Sequence, residues 1–392
     1  MLRVCVCVCV CVYPNKLKLR EQSSGEDYIV LSHCWGNPTD EEKTRFCTTP
    51  ENYPDRVKEG FNYDDLPKTF QDAVQVTREL RKEYLWIDSL CIIQEEKDKK
   101  DWKREAGCME NVFASAYCTI AASSAPNWKD GFLERNLSPQ YFQIEDSSGR
   151  QVYVCDNTDN FNKEVDKGPL NKRAWVLQER VLSRRTIHFS AKQTYWECGK
   201  GVLCENFTKL KWSSGYDRTV DFVQFLFEKY SQCGLTNQSD RDTAISGLLK
   251  RMQSTLKTEV RYGVFCCFLS RLLLWKRSDN EKTAPIDYKG RKEPPSWSWM
   301  AYYGGIDFIS KSSLIIPDFK DLEFDANDQE ALIVKVRQFK NCRLEQEEKE
   351  HAIFADPGRV GALWFDIDSL HSVTSNRLQC SHCSNRNTPR PY

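Results

Sequence analysis

The chain has 392 residues, 56 Lys+Arg against 56 Asp+Glu, 12% aromatic residues and 11 Trp, which is ample for a core and predicts one large or two ordinary domains. A net charge of zero, with no basic stripe and no polybasic tail, excludes electrostatically driven binding to nucleic acid or to an acidic membrane surface. No apolar run approaches the roughly 20 residues needed to span a bilayer, so no membrane span is expected.

The chain opens with "MLRVCVCVCVCVY", which is too short to span. Tyr13-Pro14-Asn15-Lys16 follows, with no small-residue cleavage site, so the stretch does not read as a secretory signal. A TG dinucleotide repeat read in frame gives this alternation, and we read residues 1–24 as a low-complexity leader and linker, disordered and aggregation-prone if exposed. It holds Cys5, Cys7, Cys9 and Cys11; the other cysteines lie mostly inside apolar runs such as "DSLCII", "AYCTIAA" and "GVFCCF". Reduced, core-packing thiols and a cytoplasmic location follow. Cys380 and Cys383 form one CxxC, and Cys198 and Cys204 lie six apart; a structural zinc site needs two matching pairs, so no metal site is expected.

"YIVLS" (28–32) is a short apolar run broken by Cys34-Trp35-Gly36-Asn37-Pro38 and reads as a buried strand entering a turn. Residues 37–62 read as polar loop. "LPKTFQDAVQVTRELRKE" puts Phe70, Ala73, Val74, Thr77 and Leu80 on one face behind Pro67, which predicts an amphipathic helix. "YLWIDSLCII" (84–93) reads as a second, nearly continuous strand. "DWKREAGCMENVFASA" reads as one helix with Asp101 as N-cap, and "YCTIAASSA" (117–125) as a third strand. Strand and helix alternating in this order predict a parallel α/β sheet with right-handed crossovers. In such sheets sites form beyond the carboxyl ends of the strands, which here carry Ser32-His33-Cys34, Asp88-Ser89 and residues 123–128. Further on, a strand is expected in "QVYVCD" and a short helix with two strands over 169–198. Helices follow in "YDRTVDFVQFLFEKYSQC" and "RDTAISGLLKRMQSTL", then a mixed, more β-rich stretch and a disordered tail over 379–392.

Three ordered blocks resemble those of the fungal heterokaryon incompatibility (HET) domain family: "YIVLSHCWGN", then 66–123, then "PLNKRAWVLQERVLSRRTIHFSAKQTYWEC". "LTNQSDRDTAISGLLKRM" and "PPSWSWMAY" are similar to segments that follow in long members, so the resemblance covers about residues 28–303. It implies domains at 25–200 (HET) and 201–378 (a mixed α/β extension). It also implies a fungal cytoplasmic protein that triggers programmed cell death in non-self recognition, a form of innate immunity. The partners it implies are proteins: a sensor or incompatible allele product on another chain, and self-association. A looser resemblance to Toll/interleukin-receptor (TIR) domains implies an α/β fold with a TIR- or flavodoxin-like parallel core and an α+β, β-rich C-terminal extension. Some TIR domains hydrolyse NAD with a glutamate after a Trp; carried over, these are Trp128 and Glu134, with NAD as substrate and no resident cofactor.

Ser32-His33-Cys34 reads as a strand end rather than a catalytic pair, because strand neighbours point to opposite faces and His33 stands where the family usually has Tyr. Asp88 either caps a loop or pairs with an arginine of "LQER", or it serves a site by binding ribose hydroxyls or orienting a base. Glu179 and Arg180, on a short helix with core Trp175, Val176 and Leu177, are expected to form a buried ion pair with Asp88 or Arg173. Ala174 stands where the family usually has Gly. Glu134, Asp88 and Glu179 are thus the catalytic candidates, and Ser32, Trp35, Ser89 and Arg180 the binding candidates. Trp297 and Trp299 read as core residues on one strand face. No Gly-rich phosphate loop or HExxH is present, which excludes Walker ATPases, kinases and that class of metalloprotease. Three readings remain: a cell-death effector, an NAD-consuming enzyme, and a scaffold without chemistry.

Overall fold

The computed structural model describes residues 8–13, 16–21, 26–94, 100–135, 141–145, 149–155, 160–205, 209–210, 219–278, 284–309, 322–334, 343–346, 351–355 and 358–363. They fall in two compact units, one within Met1–Asp318 and Phe324–Ala331, the other within Phe319–Glu323 and Leu332–Tyr392. The expected boundary at residue 200 is crossed by the main sheet. The tail and its CxxC lie outside the described residues.

The strands of the first unit up to residue 210 are β1 (Val8–Cys11), β2 (Lys16–Glu21), β3 (Tyr28–Ser32), β4 (Phe61–Asn62), β5 (Tyr84–Trp86), β6 (Cys118–Ala121), β7 (Tyr141–Glu145), β8 (Gln151–Cys155), β9 (Arg185–Phe189), β10 (Thr194–Cys198), β11 (Gly201–Cys204) and β12 (Lys209–Leu210). All but the separate β7–β8 hairpin join one sheet, ordered β12-β11-β10-β9-β6-β3-β5-β1-β2-β4. Its centre, β9-β6-β3-β5, is parallel as the alternation predicts, and antiparallel strands extend it on both sides. The helices that matter below are α1 (Asp40–Phe46), α2 (Tyr53–Lys58), α3 (Lys68–Glu79), α4 (Asp88–Cys91), α5 (Lys100–Ala106), α6 (Met109–Ser115), α7 (Ala174–Leu182), α8 (Thr219–Ser231) and α9 (Thr243–Leu256).

Several expectations are corrected. Described parts of the leader are ordered strand: β1 pairs with β5 (Val10↔Leu85, Cys11↔Tyr84) and with β2. Cys9, Val10, Val12, Leu17 and Leu19 are fully buried. Alternating Val and Cys suit a pleated strand covered on both faces, and the tertiary fold supplies that cover. The 37–62 stretch contains α1 and α2. A capping box starts α1: the Thr39 hydroxyl accepts from Glu42 N, and the Glu42 carboxylate accepts from Thr39 N. The strand at 84–93 stops at Trp86, and Asp88 opens α4, accepting its first free amide, Ser89 N, at 2.7 Å. The helix expected over 101–116 is two, α5 and α6, broken around Gly107 and Cys108. Residues 297–301 are a turn and a 3₁₀ helix, so Trp297 is half-buried while Trp299 is core.

Helix α7 packs on α6 and α9. Its Gln178 carbonyl oxygen accepts from Gly247 N and Leu248 N of α9. The helices meet at Gly247, where a Cβ would stand 2.8 Å from Glu110 Cβ. Phe227 of α8 stacks with Phe265 and packs on Trp299 to centre the second half of this unit. The second unit contains a meander of Arg343–Gln346, His351–Ala355 and Gly358–Leu363.

Candidate functional site

Strand register builds the site. It aligns Ser32 of β3 with Ala121 of β6, Ala121 with His188 of β9, and Thr119 with Thr186, which in turn faces Glu197 of β10. Because side chains alternate, these residues share one face of the sheet, and α7 lies over it. Cys34, Ala121, Leu170 and Val176 form the apolar contact.

From α7 the Glu179 carboxylate reaches across, and Ser32 Oγ donates to its Oε2 at 2.5 Å. Burial pushes the Glu179 carboxyl up to about 7, against the opposing pull of Ser32 and Arg173. A carboxyl near neutrality can give or take a proton, and its alcohol partner fixes its orientation. Arg173 Nη1 donates to the His33 carbonyl at 2.5 Å and clamps the strand end under α7. The expected ion pair of Glu179 and Arg180 with Asp88 does not form; Arg173 acts on Glu179 through its charge, and Arg180 turns elsewhere.

Arg180 forks onto Glu197 (Nε–Oε2 2.8 Å, Nη2–Oε1 2.9 Å) and onto Asp166 Oδ1 at 2.7 Å. His188 Nε2 lies 2.8 Å from Glu197 Oε2, and His188 Nδ1 lies 3.4 Å from Ser123 Oγ. Although burial alone would raise it, His188 and Arg180 hold Glu197 at about 2. With Glu197 ionised, Nε2 carries the imidazole proton and donates, which leaves Nδ1 to accept from Ser123. Burial holds His188 below its ordinary value. This chain of buried polar groups fixes the position of α7, and thereby of Glu179.

On the other side of the strand end, His33 and Cys34 point apart as the alternation requires. Cys34 joins the cluster under α7, and burial pushes its thiol up. His33 packs edge-on against Phe70 with Nδ1 3.9 Å from Asp88 Oδ1, and its buried Nε2 has no partner. Burial pushes His33 down to about 4, so it is neutral at pH 7. The Asp88 carboxylate, one-third exposed at 33%, accepts from Trp35 Nε1 at 2.9 Å and from Ser89 N. It caps its own helical turn. Trp35 stacks on Trp128, and Gly36 at φ +73° lets the turn approach Asn127, whose Cβ would lie 2.5 Å from a Cβ there.

The structure therefore gathers Ser32, Glu179 and Arg180 under α7, and Trp35, Asp88 and Ser89 beside it. Glu134 stands apart: its side chain is 86% exposed, 3.5 Å from Lys68 Nζ, while Trp128 is core. Sequence reasoning named Arg173 and placed Ser123 at a strand end, but missed Asp166, His188 and Glu197. One signal was available, since two strands joined by a short turn place His188 and Glu197 on one face of a hairpin. A cavity lined by Ser32, Thr119, Asn171, Arg180, Thr186 and His188 has room for about one water molecule. A larger ligand reaches Glu179 only when the covering residues move. Among the described residues no group of His, Cys, Asp and Glu is arranged to hold a metal, and no helix is long and apolar enough to cross a membrane.

The family model of the heterokaryon incompatibility protein (HET) matches residues 28–179, which includes β3, α4, the first part of α7 and the Ser32–Glu179 pair. No curated protein and no solved structure gives a significant match.

Proposed function

The chain carries a heterokaryon incompatibility domain over residues 28–179, and we propose that it is an effector of fungal non-self recognition that triggers programmed cell death. The family match carries this reading. It covers β3, β5 and β6, their carboxyl edge and α7 as far as Glu179, so it holds the Ser32–Glu179 pair, while Arg180, His188 and Glu197 lie beyond it. The trigger under this reading is a protein partner, a sensor or the product of an incompatible allele, and the place of action is the cytoplasm.

A second reading is favoured by one observation, the buried Ser32–Glu179 pair at the carboxyl edge of the sheet. Cleaving an N-glycosidic bond, as in NAD hydrolysis, needs a carboxylate close to the ribose to steady an oxocarbenium-like state. Glu179 stands at that edge and, with its carboxyl at about 7, is ionised in part at pH 7; a ribose meets it once the covering residues move. Glu134, fully in solvent beside Lys68, does not. Asp88, tied to Trp35 and Ser89, is the group to meet ribose hydroxyls.

The two readings separate in one experiment. The full-length chain is overproduced from an inducible promoter in a fungal cell, and viability and NAD are followed for wild type, Glu179→Gln, Ser32→Ala, Asp88→Asn and Glu134→Ala. Death with NAD loss, both abolished by Glu179→Gln and spared by Glu134→Ala, is the outcome expected of an NAD-consuming effector. Death at constant NAD would leave an effector that works through contacts alone. Full viability with folded, soluble wild-type protein would overturn the effector reading.

A further inference from the structure

A guanidinium taken out of water needs a counter-ion, since its desolvation is costly. Arg180 obeys that rule with two carboxylates. Arg241 does not. It follows the 3₁₀ turn Gln238–Asp240 and is 2% exposed. Its Nη2 donates to the Gly304 carbonyl at 3.1 Å, its plane lies 5.3 Å from the Trp299 ring centre, and its Nε has no acceptor. The groups acting on its charge are Tyr230, Tyr288, Cys233 and Tyr303, none of them a carboxylate. Burial pushes Tyr288 up to about 12 and Cys233 up to about 11, so both are neutral at pH 7. The adjacent Asp242 is already taken by Arg291 Nη1 at 3.2 and 3.3 Å and by Thr243 N at 2.7 Å. Among the described residues no carboxylate meets Arg241.

The cover over this cation is thin on one side. Gly304 has φ +101°, and a Cβ placed there would meet no atom within 4 Å. Its neighbour Tyr303 is 51% exposed, and Gly305 follows. Gly305 is buried, with its Cβ position 2.5 Å from Ser278 Oγ, so the freedom to change shape lies at Gly304.

We propose that Arg241 anchors a binding site for an oxyanion, the phosphate or carboxylate group of a small ligand entering at Gly304. The anion takes the unused Nε and replaces the Gly304 carbonyl at Nη2, which makes the forked pair that a guanidinium favours, with Trp299 beneath. The site is wired into the second half of the unit, because Tyr230 of α8 donates its hydroxyl to the Arg241 carbonyl at 2.5 Å. Binding therefore stabilises that packing.

The test is thermal unfolding of the full chain in increasing inorganic phosphate, and separately in acetate, at ionic strength held constant with chloride. The unfolding temperature is expected to rise saturably with one of the two anions, as a ligand of the folded state requires. A rise with phosphate names a phosphate ligand, and a rise with acetate a carboxylate. Arg241→Met should abolish the rise, and Arg241→Lys, which keeps the charge and loses the fork, should raise the half-saturating concentration about tenfold. Where Arg241→Met does not fold, equilibrium dialysis of the same anion against wild type and Arg241→Lys gives the comparison. No rise with either anion, or equal affinity in the Lys variant, would overturn the proposal.

Discussion

Glu179 and Glu197 share one polar layer between α7 and the sheet, yet their carboxyls end at opposite extremes, about 7 and about 2. The difference lies in their donors. Glu197 receives Arg180 in a fork and His188 in line, whereas Glu179 receives one alcohol and is otherwise dehydrated. The consequence can be measured. From about pH 4.5, where a carboxyl titrates in the unfolded chain, up to about 7, the folded chain keeps a proton on Glu179 that the unfolded chain has released. Stability carried by Glu179 therefore falls as pH rises across that window. Urea unfolding of Glu179→Gln should lack this fall, so the stability of the variant relative to wild type should climb from about pH 4.5 and be largest near pH 7. Parallel curves would contradict the raised value. His33 acts in the other direction. Its folded value of about 4 lies below the ordinary 6.5, so the unfolded chain binds the extra proton and stability rises with pH from about 4 to 6.5. His33→Tyr, which removes the imidazole, should remove that rise in the same titration.

At the scale of elements, α7 holds the site together, and two contacts position it. Arg180 joins it to β10 and to Asp166, so Arg180→Met leaves Glu197 without its cation and Asp166 with Lys229 alone. The expected loss is about 3–5 kcal/mol in urea unfolding, the range for breaking a buried pair from one side. Gly247 lets α9 approach Gln178 and Glu110 closely. Gly247→Ala should cost about 1–3 kcal/mol by overpacking, with little change in the pH dependence that reports Glu179. An equal loss from Gly247→Ser would agree with this, since any Cβ meets the same atoms. These contacts also mark how far local pattern carries. The periodicity of 68–79 and of 174–182 is sufficient to show both helices, because each buries one stripe. Nothing in that periodicity shows that Arg180 turns to Glu197 rather than Asp88, because a side chain's partner depends on how the helix is rotated against a strand folded elsewhere.

At the scale of the whole molecule, the leader has become part of the sheet. β1 and β2 cover the edge of β5, outside the 28–179 family match. Removing residues 1–24 exposes the β5 backbone edge and the residues packed behind it, so the truncated chain should be destabilised and self-associate, as light scattering at micromolar concentration would show. A monodisperse, equally stable truncation would mean that β1 and β2 contribute nothing to the fold. Work on activity should accordingly use the full chain.

The sequence by itself determined the class of the molecule and much of its order: parallel strands starting within 28–32, 84–93 and 117–125, the amphipathic helix at 68–79, and the HET blocks. All are local patterns of polarity, and local patterns survive without a three-dimensional context. Tertiary structure alone decided the rest. Ser32 and Glu179 meet across 147 residues because strand register and the seat of α7 bring them together. Glu134 falls in solvent because Trp128 and Phe132 take the core positions of its loop and leave it at the surface beside Lys68. The Val-Cys repeat becomes a buried strand because β5 offers it an edge. Each of these outcomes rests on a pairing between distant segments, and pairing energies of that kind leave no trace in the spacing of residues along the chain.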